Sequence, residues 1–159
     1  MKNYFLILSL PVTFNIEPDQ LDNAYWAMQR LYHPDKHQAE KDKYMEKSAL
    51  INKAYEALRC PLKKAECLLM LSNIDINTLK LPQEMLVEFM EGHEKISSME
   101  NENKIKDEIT KVKQDKQKCI RKISDCFMKN DLAHASLAAA ELKHIYRLEQ
   151  ALEQKLCGS

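Results

Sequence analysis

The sequence predicts an all-α protein, and three observations carry that prediction. Only 2 of the 159 residues are glycine, which disfavours a hairpin-rich sheet, whose tight turns call for positive φ. The 5 prolines stand at 11, 18, 34, 61 and 82, so nothing after Pro82 interrupts a helix. Apolar residues recur at helical spacing through most of the chain.

The elements follow in order. The apolar stretch Phe5-Leu6-Ile7-Leu8 behind Lys2 is too short for a secretory signal, and no run approaches the ~18 apolar residues of a membrane span. Pro18 to Tyr32 reads as the first long helix. Pro18 suits a first turn, Asp19 and Asp22 suit the amino-terminal end, and Leu21, Tyr25, Met28 and Tyr32 form the stripe. Pro34 ends it, because the residue before proline is driven out of the helical region. A second helix is expected from Ala39 to Leu58, with Tyr44, Ile51, Ala54, Tyr55 and Leu58 inward. Pro61 opens a shorter one over Leu62 to Leu71. Ser72 to Leu81, with Asn and Asp turn formers and no sustained period, is the boundary. Three long helices then follow, near Pro82–Met99, Lys104–Met128 and Leu132–Leu156. Their short connections predict an antiparallel three-helix bundle.

Charge and composition exclude several functions. Lys plus Arg is 24 and Asp plus Glu is 24, so nothing holds nucleic acid by bulk charge. With so few glycines, no phosphate- or dinucleotide-binding loop can be built. The five cysteines (Cys60, Cys67, Cys119, Cys126, Cys157) form no CxxC knuckle. They read as small buried side chains in a reducing compartment, with a cytoplasmic location, and no metal or cofactor is expected. Charge is uneven locally. Residues 84–108 hold eight acids against three bases, and residues 111–122 hold six bases and one acid. Attraction between those adjacent helices is the simplest account, and a basic binding strip is the alternative.

The local signal that stands out is Tyr32-His33-Pro34-Asp35-Lys36. Proline fixes φ near −65° and removes a donor. A stiff bend between two helices can then present an imidazole, a carboxylate and an ammonium outward with little entropy left to lose on docking. His33 and Asp35 have no third member to complete a catalytic set, so an enzyme is not expected. As three letters alone, the pattern is also compatible with an ordinary helix-ending turn.

The setting resolves that choice. Helix, His-Pro-Asp loop, helix resembles the signature of J-domain co-chaperones, and Ile51-Asn52-Lys53-Ala54-Tyr55-Glu56-Ala57-Leu58 resembles the family's third-helix pattern. Arg59-Cys60-Pro61-Leu62-Lys63-Lys64-Ala65-Glu66-Cys67-Leu68-Leu69 is similar to the form R-x-P-x-x-R/K-A-x-x-L-L of the iron–sulfur branch, HscB. Tyr4-Phe5 with Leu10-Pro11 resembles that branch's opening, and the ending Leu-Glu-Gln-Ala-Leu-Glu-Gln-Lys-Leu resembles its carboxy-terminal domain.

The resemblance implies an L-shaped protein with a J domain over 1–72, a linker over 73–81 and a scaffold-binding bundle over 82–159. It implies an ATP-bound heat-shock chaperone of the seventy-kilodalton class as one partner. His33, Pro34 and Asp35 would dock there, with Arg30, Lys36 and Lys41 adding positive charge. The second partner would be the iron–sulfur scaffold protein, met by Leu86, Val87, Met90, Glu91 and Glu94, with His144 where the family has an aromatic. No nucleic acid, membrane or cofactor is implied, and the chain is expected to act as a monomer. Leu86 and Met90 could equally be bundle core, and Phe89, His93 and Ile96 offer a competing inward stripe. Two further departures are Ser9, where glycine is common, and Gly92, where a larger apolar residue is common. A J protein for another client and a coiled-coil dimerisation module are the rival readings.

Overall fold

The computed structural model describes residues 2–158, so the outermost ends of the two expected domains, Met1 and Ser159, lie outside the described residues. The described residues are helix, turn and loop. They form α1 (Tyr4–Ile7), α2 (Pro18–Tyr32), α3 (Lys41–Arg59), α4 (Pro61–Leu71), α5 (Gln83–Ser97), α6 (Glu102–Met128) and α7 (Leu132–Cys157). Short 3-10 turns occupy Pro34–Lys36, Gln38–Glu40 and Ile76–Thr78. The chain separates into two compact units between Ile74 and Asp75.

In the first unit, α2 and α3 form an antiparallel hairpin. Asp22 accepts from the Tyr55 hydroxyl at 2.8 Å, Tyr25 donates to Asn52 at 2.8 Å, and Ser48 donates to Gln29 at 2.9 Å. The core lies at the open end of this hairpin. There Phe5, Leu8, Leu10 and Phe14 bury against Leu21, Ile51, Ala54, Leu58, Ala65 and Leu69. From Arg30 to Leu50 no residue is fully buried, so the tip stands beyond the hydrophobic core. Gln29, one position before the exposed Arg30 on α2, is only 8% exposed. It turns inward because Asn52 and Ser48 satisfy both ends of its amide.

Three chain reversals use one device. After α1, α4 and α6 the next residue but one is left-handed: Ser9 at φ 54°, Asn73 at φ 59° and Asn130 at φ 54°. Each is closed by paired backbone bonds back into the helix, as in Leu10 N–H to Phe5 O at 2.8 Å and Asp131 N–H to Cys126 O at 2.8 Å. Asparagine tolerates this conformation and serine does so less readily.

In the second unit Asp75 caps the Ile76–Thr78 turn. Ile76 is buried, and Lys143 of α7 donates to Asn77. The turn therefore belongs to the bundle, although it falls inside the segment expected as linker. Asn101 and Asp131 cap α6 and α7 by accepting from Lys104 and His134 backbone N–H groups at 3.2 Å. Residues Ala135, Ala138, Ala139 and Ala140 are buried on α7, and their small side chains let α6 approach closely. The Cys119 thiol donates to the Ala138 carbonyl at 3.3 Å. Lys155 reaches the carbonyls of Ser97 and Met99 at the end of α5, so α5 and α7 run parallel and α6 runs against both.

The charge bias works differently from expectation. Between α5 and α6 the described ion pair, Lys95–Glu108 at 3.0 Å, takes its cation from α5 and its acid from α6. The α6 cations Lys116 and Lys122 pair instead with Glu149 and Glu141 of α7, at 2.7 and 3.2 Å. The cysteines also divide. Cys67 and Cys119 are buried, Cys60 and Cys126 are partly covered, and Cys157 is exposed. Burial pushes the Cys119 thiol up to about 12, with Glu141 adding to the shift, so it stays protonated.

Candidate functional sites

The first site is the tip of the α2–α3 hairpin. Pro34 drives His33 to φ −65°, ψ 130°, and α2 stops at Tyr32. Pro34 then starts a 3-10 turn, closed by Lys36 N–H to His33 O and His37 N–H to Pro34 O, both at 3.1 Å. The His33 ring caps this turn, because its Nδ1 accepts from the Asp35 backbone N–H at 3.3 Å. In the neutral ring that role leaves the proton on Nε2, pointing away from the turn. The side chains of His33 and Asp35 are 51% and 83% exposed. The bend thus presents one donor and one carboxylate to solvent in fixed positions.

The loop's exit is clamped from behind. His37 Nε2 donates to the Leu31 carbonyl at 2.9 Å, and its ring stacks on Tyr44 at 3.7 Å and 11°. Tyr44 also faces Tyr32 at 6.1 Å, and the Lys47 ammonium lies 4.7 Å from the Tyr32 ring centre. This aromatic and cationic brace replaces the apolar core that the tip lacks. Sequence spacing placed Tyr32 and Tyr44 inward but gave no role to His37 or Lys47. Their signal was the basic and aromatic content on both sides of the proline.

Arg30, Lys36 and Lys41 are all exposed around the bend. Lys41 opens α3, where the helix dipole disfavours a cation by roughly 0.3–1 kcal/mol. A positive charge there does not serve helix stability.

The second site is the outer face of α5. Leu86, Val87 and Met90 are 46%, 45% and 64% exposed, and Glu91 and Glu94 are exposed beside them. At 3.6 residues per turn these five positions fall within an arc of about 140°. The opposite side carries Met85, Phe89, Gly92 and Ile96, which are the covered positions. Leu86 and Met90 are therefore not bundle core, and of the competing stripe Phe89 and Ile96 turn inward while His93 stays exposed.

His144 lies on α7 behind α5. It stacks on Phe89 at 3.9 Å and 16°, meets His93 edge-on at 5.2 Å, and faces the Gly92 backbone. The structure thus separates it from the five exposed residues and makes it part of the seat on which α5 rests. Desolvation, helped by His93 and Arg147, holds it down to about 4. Its titration therefore moves from the neutral range to acid pH.

Among the described residues no group of three or more His, Cys, Asp or Glu side chains could hold a metal ion. No helix among them is long and apolar enough to cross a membrane.

Comparison with known proteins bears on both sites. Residues 3–67 match the family model of the DnaJ domain, and residues 81–153 match that of the HSCB C-terminal oligomerisation domain. The chain is 31% identical to the co-chaperone protein HscB homolog of Psychromonas ingrahamii, over 97% of this chain and 98% of that one. It is 28% identical to the iron-sulfur cluster co-chaperone protein HscB of Homo sapiens, over 97% of this chain and 68% of the relative. The crystal structure of the human co-chaperone protein HscB is similar over 100% of this chain and 84% of that one, with a TM-score of 0.88 and 26% identity. The chaperone HscB from Vibrio cholerae gives 0.80 at 26% identity, over 96% of each chain.

Proposed function

The chain belongs to the HscB-type co-chaperones of iron–sulfur cluster assembly, and from that premise we propose that it couples a scaffold protein to the ATPase cycle of a seventy-kilodalton-class heat-shock chaperone. His33, Pro34 and Asp35 dock on the ATP-bound chaperone, with Arg30, Lys36 and Lys41 steering the encounter. Leu86, Val87, Met90, Glu91 and Glu94 take the scaffold, and His144 supports their helix from behind. The protein carries out no chemistry itself. It lowers the free energy of the chaperone arrangement that hydrolyses ATP, a coupling between sites on two molecules.

The single observation that carries this reading is the exposed, internally hydrogen-bonded His33–Asp35 bend on a tip without apolar core. Such a bend contributes nothing to folding that an ordinary turn would not. What it adds is a rigid, polar, outward-facing surface, and preorganisation of that kind favours binding. Rim charges such as Lys36 and Lys41 act mainly on encounter rate and salt dependence.

We also propose that the working unit is a single chain, with its J domain over 1–72 and its bundle extended back from 82 to take in the Ile76–Thr78 turn. The test is the chaperone's steady-state ATPase rate against this protein, with and without scaffold. The reading requires stimulation by the protein alone and a more than additive rate with both. Stimulation without any added effect of the scaffold would leave a J protein for another client. A rate unchanged by this protein at any concentration would end the proposal.

A further inference from the structure

We infer that Trp26 is the apolar anchor of the chaperone-docking edge, seated in a shallow apolar depression of the ATP-bound partner that is rimmed by acid. The inference rests on the function proposed above and extends it to a residue outside the His-Pro-Asp bend.

Trp26 is the only tryptophan in the chain and is 59% exposed on α2. A single exposed apolar residue needs no explanation as a rule, but tryptophan is on average well covered. Three features set this one apart. Trp26, Arg30 and His33 follow at i, i+4 and i+7, so they share one edge of the helix, with the indole about 10 Å along the axis from the imidazole. The ring is also held in place. It packs edge-on against Tyr25 at 5.1 Å and 68°. Tyr25 in turn is fixed by its hydroxyl bond to Asn52 and by the Tyr55 ring at 4.4 Å. Finally, Arg30 Nε donates to the Trp26 backbone carbonyl at 3.4 Å, which holds the guanidinium against the turn of helix that carries the indole.

Rigid aromatic side chains next to arginine are the residue types that dominate binding energy at interfaces. A tryptophan brings a large apolar area at low entropic cost, and its N–H requires an acceptor. The surface that fits this edge is an apolar hollow with a carbonyl or carboxylate for the indole N–H and acids for Arg30. The division of labour follows from position. Trp26 supplies affinity, while the bend ahead of it supplies the coupling to hydrolysis.

Because the tryptophan is single, 5-fluorotryptophan incorporated into the full chain gives one fluorine resonance for Trp26 whatever the chaperone contains. That resonance is expected to shift or broaden with ATP-loaded chaperone and to keep its free position with the ADP-loaded form. Trp26→Ala is expected to raise the half-saturating concentration for ATPase stimulation by about tenfold or more while reaching the same plateau. Trp26→Phe should recover part of that loss. His33→Gln, in contrast, should lower the plateau. An unmoved resonance at chaperone concentrations that give full stimulation would overturn the inference even if Trp26→Ala failed to fold. So would a Trp26→Ala variant with unchanged half-saturation, or one that lost only the plateau. If the unaltered chain gave no stimulation, the function proposed above would fall and this inference with it.

Discussion

The tip of the α2–α3 hairpin and the outer face of α5 are both exposed, yet they are built from different materials. The tip is polar and clamped. Its bend is closed by three backbone-directed bonds, and its exit is pinned by stacked rings. The α5 face is apolar with an acidic border, lies on regular helix, and is held to the bundle by a narrow seat of Phe89, Gly92 and Ile96. A rigid polar bend is suited to selecting one conformation of a partner. An exposed apolar stripe is suited to contributing affinity by removing surface from water. Loss at the tip should therefore appear as lost coupling, and loss on α5 as weaker binding.

The largest effect is expected at the tip. His33→Gln or Asp35→Asn should bring ATPase stimulation down to the basal rate while far-UV circular dichroism and melting stay as in the parent. Both side chains lie beyond the core, so folding does not depend on them. Full stimulation by either variant would break the contrast at its stronger end.

A smaller but clear effect is expected on α5. Leu86→Ala combined with Met90→Ala should weaken scaffold affinity by about tenfold or more in a calorimetric titration, since truncated apolar anchors dominate such contacts. Helicity should be retained, because both residues are exposed in the free protein. Unchanged affinity would remove the scaffold role of this face. Unchanged chaperone stimulation in the same variant is part of the expectation, and losing it would show that the two regions do not divide the work as described.

The two regions were also legible in the sequence to different degrees. The tip could be read because proline dictates its local conformation regardless of tertiary context. Helix α2 accordingly begins at Pro18 and ends at Tyr32 as the pattern predicts. The start of α3 was less accessible. Helix was expected from Ala39, but a second 3-10 turn over Gln38–Glu40 delays it to Lys41, and no side chain there announces the turn. On α5, periodicity alone left two stripes available, and Leu86 and Met90 fitted one of them. What excluded that stripe is the α7 surface, where His144 takes Phe89 and leaves Met90 outside. Gln29 is not legible as interior for a related reason: an amide is buried only where a second helix supplies partners, here Asn52 and Ser48. The single Trp26 carried a compositional signal, but its exposure is settled by which face of α2 the core takes up.

The seat beneath α5 offers a subtler probe. His144 is held down to about 4 by partial burial, whereas the unfolded chain protonates near its ordinary value of about 6.5. As pH falls from about 6.5 towards 4, the unfolded state takes up a proton that the folded state refuses, so stability is lost across that window. Allowing for the ring's partial exposure, the loss is of order 1 kcal/mol. Denaturant titrations at pH 7 and pH 4.5 should show a smaller drop for His144→Phe, which keeps a ring on Phe89 without a titrating group. An equal drop in both proteins would assign the acid sensitivity elsewhere. A matching loss of scaffold affinity in the parent alone would tie the seat to the function of the face it supports.

The smallest effects come from a matched pair of substitutions, one in each unit. Ser9 occupies a left-handed position at φ 54° that glycine adopts freely. Gly92 occupies a regular helical position that alanine favours. An added Cβ at Gly92 would meet His144 and Leu148 no closer than 3.5 Å, an ordinary contact. Ser9→Gly and Gly92→Ala should therefore each stabilise the protein by about 0.5–1 kcal/mol, the first by relieving backbone strain and the second by restricting the unfolded chain. They differ in what else they change. Ser9 lies in the reversal after α1, so Ser9→Gly should leave scaffold affinity untouched. Gly92 lies in the helix that carries the exposed stripe. If looseness of that helix limits binding, Gly92→Ala should tighten the scaffold by a few-fold at most, in line with the same 0.5–1 kcal/mol. A gain in stability with no gain in affinity would show that the side chains of the α5 face, and not the rigidity of its backbone, set the strength of the contact.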